Sequence, residues 1–299
     1  MARHFLSLND LNVAEFQAII ERACELKKEF QQNCMQQTRP GMVLAMIFEK
    51  SSTRTRVSFE AAMAQLGGHA IFLSPADSQL GRGEPVEDTA RVLAKMVNCI
   101  MMRTFEHEKL KRYAAFSEIP VINGLSDTYH PCQLLADMQT YYEMRGAIKG
   151  KKVAWLGDGN NMCHSYINAA RILGFKLHIA TPENYQADKE IVASAGKNIS
   201  TGCDPAIAVA GADLVVTDVW ASMGQEEETE ERLQVFKPFQ VNAELMQHAA
   251  ADALFMHCLP AHRGEEVTAE VIDGEQSVVW EEAGNRLHSQ KALLEFLLQ

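Results

Sequence analysis

The sequence predicts an α/β protein made of two doubly wound parallel-sheet domains. Short apolar runs alternate with stretches whose apolar residues recur at helical spacing, and this alternation stops near residues 143–151 and then restarts. Strands that alternate with helices are typical of parallel sheets covered by helices on both faces. Polar clusters also follow the ends of the apolar runs. Because ligands bind beyond the carboxyl ends of parallel strands, we expect an active site in the cleft between the two domains.

The first predicted domain covers residues 1–146. It begins with a helix that Asn9 or Asn12 caps and that runs to about Phe30. Strands and helices then alternate. The predicted strands are 42–48, 69–73, 99–102 and 119–122, and the predicted helices are 53–66, 86–96, 109–116 and 133–144.

The second predicted domain covers residues 147–299. Its predicted strands are 152–156, 176–180, 214–217 and 253–257, with a helix at 162–173. The acidic run 226–231 is interpreted as a solvated loop. A last helix, at about 281–299, is expected to pack back across the boundary onto the first domain.

Composition narrows the class of protein. The 299 residues exceed the usual size of one domain, and 47% hydrophobic with 22% charged residues is typical of a globular enzyme. A net charge of −11 argues against a nucleic-acid partner.

The cysteines and the apolar runs indicate where the protein works. Seven scattered cysteines without a C-x-x-C pair indicate reduced thiols in the cytoplasm. No apolar run approaches the roughly 20 residues of a membrane span, and the N-terminus lacks the apolar core of a signal peptide. We therefore expect a soluble cytoplasmic protein without a membrane partner.

The segment Ser52-Thr53-Arg54-Thr55 is the strongest site signal. It follows the first apolar strand and opens a helix, where unpaired backbone N–H groups and the helix dipole favour an anion. Hydroxyl groups add donors, and Arg54 offers a planar fork to two phosphate oxygens. A capped surface helix is the alternative, but cations in its first turn would oppose the dipole. The pattern favours a phosphate site.

Two further clusters point to the same crevice. Arg103 ends the third strand, where a second arginine suits a dianion; its alternative is a surface ion pair with Glu106. His130 and Gln133 flank the start of a helix in which Pro131 fixes φ. A histidine can donate to a carbonyl oxygen, and a carboxamide can recognise a planar amide. Taken without the other clusters, this segment would be read as an ordinary turn.

The turn 157–162 opens the second domain's first helix. It is similar to a dinucleotide-binding turn, but Met162 replaces the third glycine and no ribose-binding acid follows the second strand. We interpret Asn161 as an amide that orients a small polar substrate. A nicotinamide-dependent oxidoreductase remains the alternative from another class.

Asp218 and Cys258 each follow an apolar strand of the second domain. Asp218 can hold an ammonium group, with Ser222 as a second acceptor; its alternative role is to cap a turn. Close to Asp218, Cys258 could orient and deprotonate an attacking amine and would attract thiophilic metals. Cys258 could instead be a small buried residue, or a nucleophile that needs a base.

Together these segments resemble the aspartate/ornithine transcarbamoylase family over essentially the whole chain. The carbamoyl-phosphate elements of the family are similar to Ser52-Thr53-Arg54-Thr55, Arg103 and His130-Pro131-Cys132-Gln133. The elements of its ornithine branch are similar to Asp218, Ser222-Met223-Gly224 and His257-Cys258-Leu259-Pro260. The loop 78–84 lacks the lysine expected in the aspartate branch.

The resemblance implies transfer of a carbamoyl group from carbamoyl phosphate to the δ-amine of L-ornithine, which gives L-citrulline and phosphate in arginine biosynthesis. It implies no cofactor and no resident metal. The implied carbamoyl-phosphate contacts are Ser52, Thr53, Arg54, Thr55, Gln79, Arg103, His130, Pro131, Cys132, Gln133, Cys258, Leu259 and Arg286. The implied ornithine contacts are Asn161, Asp218, Ser222 and Met223, and the implied catalytic residues are Arg54, Arg103, His130 and Cys258.

In this family Gln79 reaches a neighbouring subunit's site, so the resemblance also implies a homotrimer or a multiple of it. Besides the nicotinamide-dependent oxidoreductase, two alternatives remain open. One is a phosphate-sensing protein without catalysis, and the other is an enzyme of the family that uses a related acceptor such as putrescine or N-acetylornithine.

Overall fold

The computed structural model describes residues 2–74, 83–221 and 229–299. The chain divides into two compact units, of which unit 1 comprises Met1–Glu143 with Gly284–Gln299 and unit 2 comprises Met144–Ala283. Each unit contains a parallel sheet, with four strands in unit 1 and five in unit 2. The predicted fold class, two parallel α/β sheets, is confirmed.

Unit 1 alternates strands and helices. Its strands are β1, Val43–Phe48; β2, His69–Leu73; β3, Cys99–Arg103; and β4, Val121–Leu125. Its helices are α1, Val13–Gln31; α2, Thr53–Gln65; α3, Val86–Leu93; α4, His107–Ala115; and α5, Pro131–Arg145, whose last two residues belong to unit 2.

The sheet of unit 1 has the order β2-β1-β3-β4, so the chain leaves β1 toward one edge and later continues at β3 on the other side. All pairs are parallel. The residues of β3 are all buried, as are those of β1 after Val43, which explains their nearly continuous apolar sequence. The point where the strand order reverses, between β1 and β3, is where a crevice for ligands forms in such sheets.

A β-bulge lies at the end of β3. Met102 pairs with Asn123 but Arg103 pairs with Leu125, so Gly124 is skipped. A Cβ on Gly124 would lie 2.4 Å from Met101 Sδ, so a larger residue would force Met101 to move. Strand β4 continues to Leu125, beyond the predicted end of this strand at residue 122, and the bulge falls at Arg103.

Unit 2 repeats the alternation with more short elements. Its strands are β5, Lys152–Leu156; β6, Lys176–Ala180; β7, Ile199–Gly202; β8, Leu214–Thr217; and β9, Leu254–His257. Its helices are α6, Asn161–Leu173; α7, Lys189–Ser194; α8, Pro205–Val209; α9, Thr229–Phe236; α10, Ala243–Met246; and α11, Ala269–Ile272. The C-terminal helix α12, Val279–Leu297, begins in unit 2 and continues in unit 1.

The sheet of unit 2 has the order β7-β6-β5-β8-β9, again with parallel pairs. Here the order reverses between β5 and β8, which places a second switch point beside the turn after β5 and the loop after β8. Apolar side chains from β5, β8 and β9 pack into a core with α8, α10 and α11.

The loop prediction for the acidic run is wrong for residues 229–231. They begin helix α9, in which Arg232 and Phe236, four residues apart, are both buried. Glu230 and Glu231 lie in its first turn, where negative charge favours the helix dipole. Residues 226–228 lie outside the described part of the chain.

Within the three described stretches, no helix is both long enough and apolar enough to cross a membrane.

Candidate active site

Ser52 ends the loop after β1 and caps helix α2. Its hydroxyl oxygen accepts a hydrogen bond from the backbone N–H of Thr55 at 3.2 Å, and the hydroxyl donates to Thr55 Oγ1 at 3.1 Å. Thr55 is fully buried, whereas Thr53 is exposed and Arg54 is half-buried. The first N–H groups of α2 have no acceptor within the helix, so this helix start can hold an anion.

The charges of three arginines act on His130 in unit 1. Burial lowers the pKa of His130 well below its usual value, and the positive charges of Arg286, Arg103 and Arg54 lower it further. Arg103 and Arg286 are buried, with 8% and 3% of their surfaces exposed. Both effects favour the neutral imidazole, and all three arginines lie close enough to His130 for their charges to act on it. Such an arrangement favours a dianion and a hydrogen-bond acceptor beside it.

Arg286 connects the start of α2 with the start of α5. Its two terminal nitrogens donate to Thr55 Oγ1 at 2.9 Å and to Gln133 Oε1 at 3.1 Å. Arg286 lies 153 residues from Gln133 in the chain, yet both belong to unit 1, because α12 continues in that unit. The structure thus brings together Thr55, Gln133 and Arg286.

Pro131 and Cys132 form the first turn of α5. Both are buried, and the Cys132 thiol donates to the carbonyl oxygen of Asn123 at 3.3 Å. Burial raises the pKa of the Cys132 thiol to about 12, so it stays protonated. The Cys132 side chain is committed to packing, and any contact from this residue to a ligand would use its backbone.

Asp218 is the centre of the polar cluster in unit 2. Its carboxylate accepts hydrogen bonds from Cys258 Sγ at 3.1 Å, from Asn160 Nδ2 at 2.9 Å and from the backbone N–H of Val219 at 2.8 Å. Asp218 follows β8, Cys258 follows β9 and Asn160 follows β5, so all three lie at strand ends around the switch point. A carboxylate has about four acceptor positions, so Asp218 can also bind an ammonium group.

Asn160 is a residue that the sequence interpretation missed in favour of its neighbour Asn161. Asn160 is the N-cap of α6: its side-chain oxygen accepts from Met162 N and Cys163 N, and its amide nitrogen is turned to Asp218. Asn161 is the first residue of the helix and is half-buried. An N-cap signal, an asparagine just before a helical run, was present in the sequence.

The turn after β5 differs from a dinucleotide-binding turn at its second glycine. A Cβ on Gly159 would lie 2.1 Å from the backbone nitrogen of Ala187, and Gly159 N donates to Tyr185 O at 2.8 Å. In dinucleotide-binding turns that glycine lets the pyrophosphate approach the backbone. Here the protein's own chain occupies that position, which argues against the nicotinamide alternative.

His257 supports the segment that carries Cys258. Leu259 N donates to His257 Nδ1 at 2.9 Å, so the ring proton is on Nε2, which lies 3.1 Å from Glu266 Oε1. Potential ligand atoms of Asp218, His257 and Cys258 lie within 4.8 Å of one another. All three side chains already have hydrogen-bond partners, so a thiophilic metal bound here would displace some of these contacts.

Arg232 on α9 is a second residue that the sequence interpretation missed. It is buried, donates through Nε to Trp220 O at 2.5 Å and forms an ion pair with Asp158. Its guanidinium also lies 4.7 Å from the Tyr185 ring centroid. Burial raises the pKa of Asp158 to about 6, although the charge of Arg232 opposes this shift. Arg232 thus ties the turn after β5 to the loop after β8.

Three predicted contacts, Gln79, Ser222 and Met223, lie outside the described residues.

Two models of one protein family match this chain. Residues 3–143 match the family model "Aspartate/ornithine carbamoyltransferase, carbamoyl-P binding domain", and residues 149–297 match the model "Aspartate/ornithine carbamoyltransferase, Asp/Orn binding domain". The chain belongs to the aspartate/ornithine carbamoyltransferase family. Ser52, Arg54, Arg103, His130 and Gln133 lie in the part that matches the first model, whereas Arg286 and the Asp218 cluster lie in the part that matches the second.

Similar members of the carbamoyltransferase family span the whole chain. An ornithine carbamoyltransferase from Methylococcus capsulatus is 63% identical over 99% of this chain and 98% of its own length. An ornithine carbamoyltransferase from Nitrosococcus oceani is 62% identical over 99% of this chain and 97% of its own length. The solved structure of ornithine carbamoyltransferase from Burkholderia thailandensis is 55% identical, covers 99% of this chain and 98% of its own, and has a TM-score of 0.93. The solved structure of the enzyme from Pyrococcus furiosus is 51% identical, covers 98% of this chain and 96% of its own, and has a TM-score of 0.94.

Proposed function

We propose that this protein transfers the carbamoyl group of carbamoyl phosphate to the δ-amine of L-ornithine, giving L-citrulline and phosphate in cytoplasmic arginine biosynthesis. The observation that carries the proposal is the group of three arginines whose charges act on a buried, neutral His130. Membership of the carbamoyltransferase family supports it. A cytoplasmic location is supported by the seven cysteines, which lie within the described part of the chain and form no disulfide there.

In this proposal the first domain, residues 1–146, binds carbamoyl phosphate. The start of α2 at Ser52, Thr53 and Thr55 holds the phosphate, together with Arg54 and Arg103. These groups stabilise the negative charge that grows on the phosphate as it leaves, and they need no reorganisation during the reaction. Arg286 adds a third positive charge to those of Arg54 and Arg103.

The carbamoyl group is held at the start of α5. Neutral His130 donates a hydrogen bond to the carbonyl oxygen as charge develops there, and Arg103 assists. Gln133 accepts from the carbamoyl NH₂ group. Pro131 fixes the backbone at this turn. Cys132 contributes contacts through its backbone, because its thiol donates a hydrogen bond to the carbonyl oxygen of Asn123.

The second domain, residues 147–299, binds ornithine in this proposal. Asp218 takes the α-ammonium group, with Asn161, Ser222 and Met223 around the amino-acid end, and Asn160 fixes the Asp218 carboxylate. In this proposal Cys258 and Leu259 contact the reacting groups, the δ-amine and carbamoyl phosphate.

The transfer step forms one bond and breaks one. The neutral δ-amine attacks the carbonyl carbon, and the bond from that carbon to the phosphate oxygen breaks, so its electron pair leaves with phosphate. The proton lost by the amine passes to the pair formed by Asp218 and Cys258, which already share a hydrogen bond at 3.1 Å. The enzyme forms no covalent intermediate.

A trimer in which Gln79 serves a neighbouring subunit's site is part of the proposal. Two apolar side chains support an interface with further copies of the chain: Val57 on α2 is 59% exposed, and Ile71 on the edge strand β2 is 41% exposed. Helix α2 packs beside β2, where the guanidinium of Arg56 lies 3.9 Å from the Phe72 ring centroid. An exposed apolar edge strand is normally covered.

Citrulline formation from carbamoyl phosphate tests the proposal, with aspartate, putrescine and N-acetylornithine run beside ornithine as acceptors. Citrulline from ornithine, with one phosphate released for each, is the expected result. A product from another acceptor would overturn the role of Asp218 and Ser222. Binding of carbamoyl phosphate without any product would favour a phosphate-sensing protein.

A further inference from the structure

The side chain of Gln133 is held from both sides. Its amide nitrogen donates to Asp137 Oδ1 at 2.9 Å, and its amide oxygen accepts from Arg286 at 3.1 Å. Gln133 and Asp137 are fully buried and lie one turn apart on α5. Asp137 is not among the proposed substrate contacts.

The chemistry of the two partners fixes which way the amide faces. Asp137 Oδ1 accepts the hydrogen bond from Gln133, and a guanidinium can only donate hydrogen bonds. The amide nitrogen of Gln133 must therefore face Asp137, and the amide oxygen must face Arg286. Rotation of the amide by half a turn would place an oxygen against the carboxylate and an NH₂ group against the guanidinium, so both contacts would become repulsive.

The direction of this amide decides which acyl phosphate fits. A carbonyl oxygen can accept two hydrogen bonds, so Gln133 Oε1 can accept from Arg286 and also from an N–H of the substrate. Carbamoyl phosphate and acetyl phosphate have nearly the same shape, but one carries NH₂ where the other carries CH₃. A site that offers an acceptor at this point leaves that acceptor unsatisfied when the methyl group binds.

We propose that Asp137 is a positioning residue that makes the site prefer a carbamoyl phosphate over an acetyl phosphate. It acts through Gln133, by holding the amide nitrogen so that the oxygen faces the substrate's NH₂ group. The inference rests on the proposed function, because it requires that an acyl phosphate occupies the anion site of unit 1. It adds a residue that touches no substrate but sets the choice of substrate.

The test measures binding without ornithine, so that it does not depend on turnover. Dissociation constants for carbamoyl phosphate, acetyl phosphate and inorganic phosphate are measured by calorimetry for the wild type, Asp137→Asn and Thr140→Val. Thr140 lies on the same helix and accepts from Asn285 at 2.8 Å. Its replacement removes a buried hydrogen bond of α5 without touching Gln133, which makes it the matched control.

We expect the wild type to prefer carbamoyl over acetyl phosphate by at least about tenfold, the value of one hydrogen bond. In Asp137→Asn that preference should fall about tenfold, because asparagine can donate to the Gln133 oxygen and no longer fixes the amide. Affinity for inorganic phosphate should be unchanged. Thr140→Val should keep the preference of the wild type.

Three outcomes would overturn the inference: a wild type that binds both acyl phosphates equally, an unchanged preference in Asp137→Asn, or an equal loss for all three ligands. If Asp137→Asn does not fold, Asp137→Ser takes its place, and the wild-type comparison still decides the first outcome. In a Gln133→Leu background, Asp137→Asn should change the preference no further. Failure of the proposed function would appear separately, as an absence of citrulline from the wild type.

Discussion

Replacement of Arg286 by methionine is the sharpest test of the anion site. Arg286 is buried and donates to both Thr55 and Gln133, so it links the starts of α2 and α5. Methionine keeps an unbranched side chain of similar reach but removes the charge and both hydrogen bonds. The variant should therefore lose affinity for carbamoyl phosphate.

The size of the loss follows from the charge and the burial. At an effective dielectric constant of about 20, two unit charges separated by roughly 5 Å interact with about 3 kcal/mol, which is about two orders of magnitude in a dissociation constant. The two lost hydrogen bonds to a charged group are worth about 1.5–3 kcal/mol each and should lower the free energy of unfolding. Removal of this positive charge should also raise the pKa of His130, which burial and three arginines now lower.

The assay combines calorimetry with carbamoyl phosphate and unfolding in urea. Arg112→Met is the matched control, because Arg112 is an exposed arginine of unit 1 that pairs with Glu87 at 3.0 Å. An exposed ion pair contributes at most about 1 kcal/mol, so the control should bind carbamoyl phosphate normally. A folded Arg286→Met variant with wild-type affinity would refute the role of Arg286 in the anion site.

Three further predictions concern protons and the thiol. Because the pKa of Asp158 is raised to about 6 in the folded state, the folded state holds a proton that the unfolded state has lost between about pH 4 and pH 6. The stability that this proton contributes is fully present below about pH 4 and is lost as the pH rises through 6. Urea unfolding of the wild type should therefore show a free energy of unfolding that falls over this pH range, and Asp158→Asn should not show this fall. Because burial and the arginines lower the pKa of His130, the pH profile of kcat/KM for carbamoyl phosphate should show no step from His130 near pH 6.5. A step at that pH in the wild type that is absent in His130→Asn would contradict this prediction. Cys258→Ser should raise KM for ornithine about two- to tenfold, with a smaller effect on carbamoyl-phosphate binding, because the thiol donates to Asp218; equal losses would indicate packing.

Much of the fold followed from periodicity. The strand β1 and the longer helices α2 and α6 have clear apolar patterns, and their observed bounds lie within a few residues of the predicted ones. Helices α7, α8, α10 and α11 have four to six residues, which is too short for a helical period to appear. Strand β7 was missed because most of its residues are exposed, so it lacks an apolar run.

The site was predictable where residues cluster in the sequence. The segments around Arg54, His130 and Asp218 lie directly after strands, and the topology of each sheet explains why those strand ends meet. Arg232 could not be found in this way, because it lies 74 residues from Asp158 and directly follows the acidic run 226–231, which the sequence analysis interprets as a solvated loop. Its role depends on the packing of α9, which no local pattern specifies.

In the proposed function, unit 1 binds carbamoyl phosphate through its arginines and unit 2 binds ornithine through Asp218. The most direct test is the dissociation constant of carbamoyl phosphate for Arg54→Ala and for Asp218→Asn. Arg54→Ala should stay folded, bind carbamoyl phosphate on the order of 10²-fold more weakly and lose turnover. Asp218→Asn should bind it within about twofold of the wild type, as expected for independent sites, while it no longer uses ornithine. Wild-type affinity for carbamoyl phosphate in Arg54→Ala, or an equal loss of that affinity in both variants, would contradict the assignment of carbamoyl phosphate to unit 1 and ornithine to unit 2.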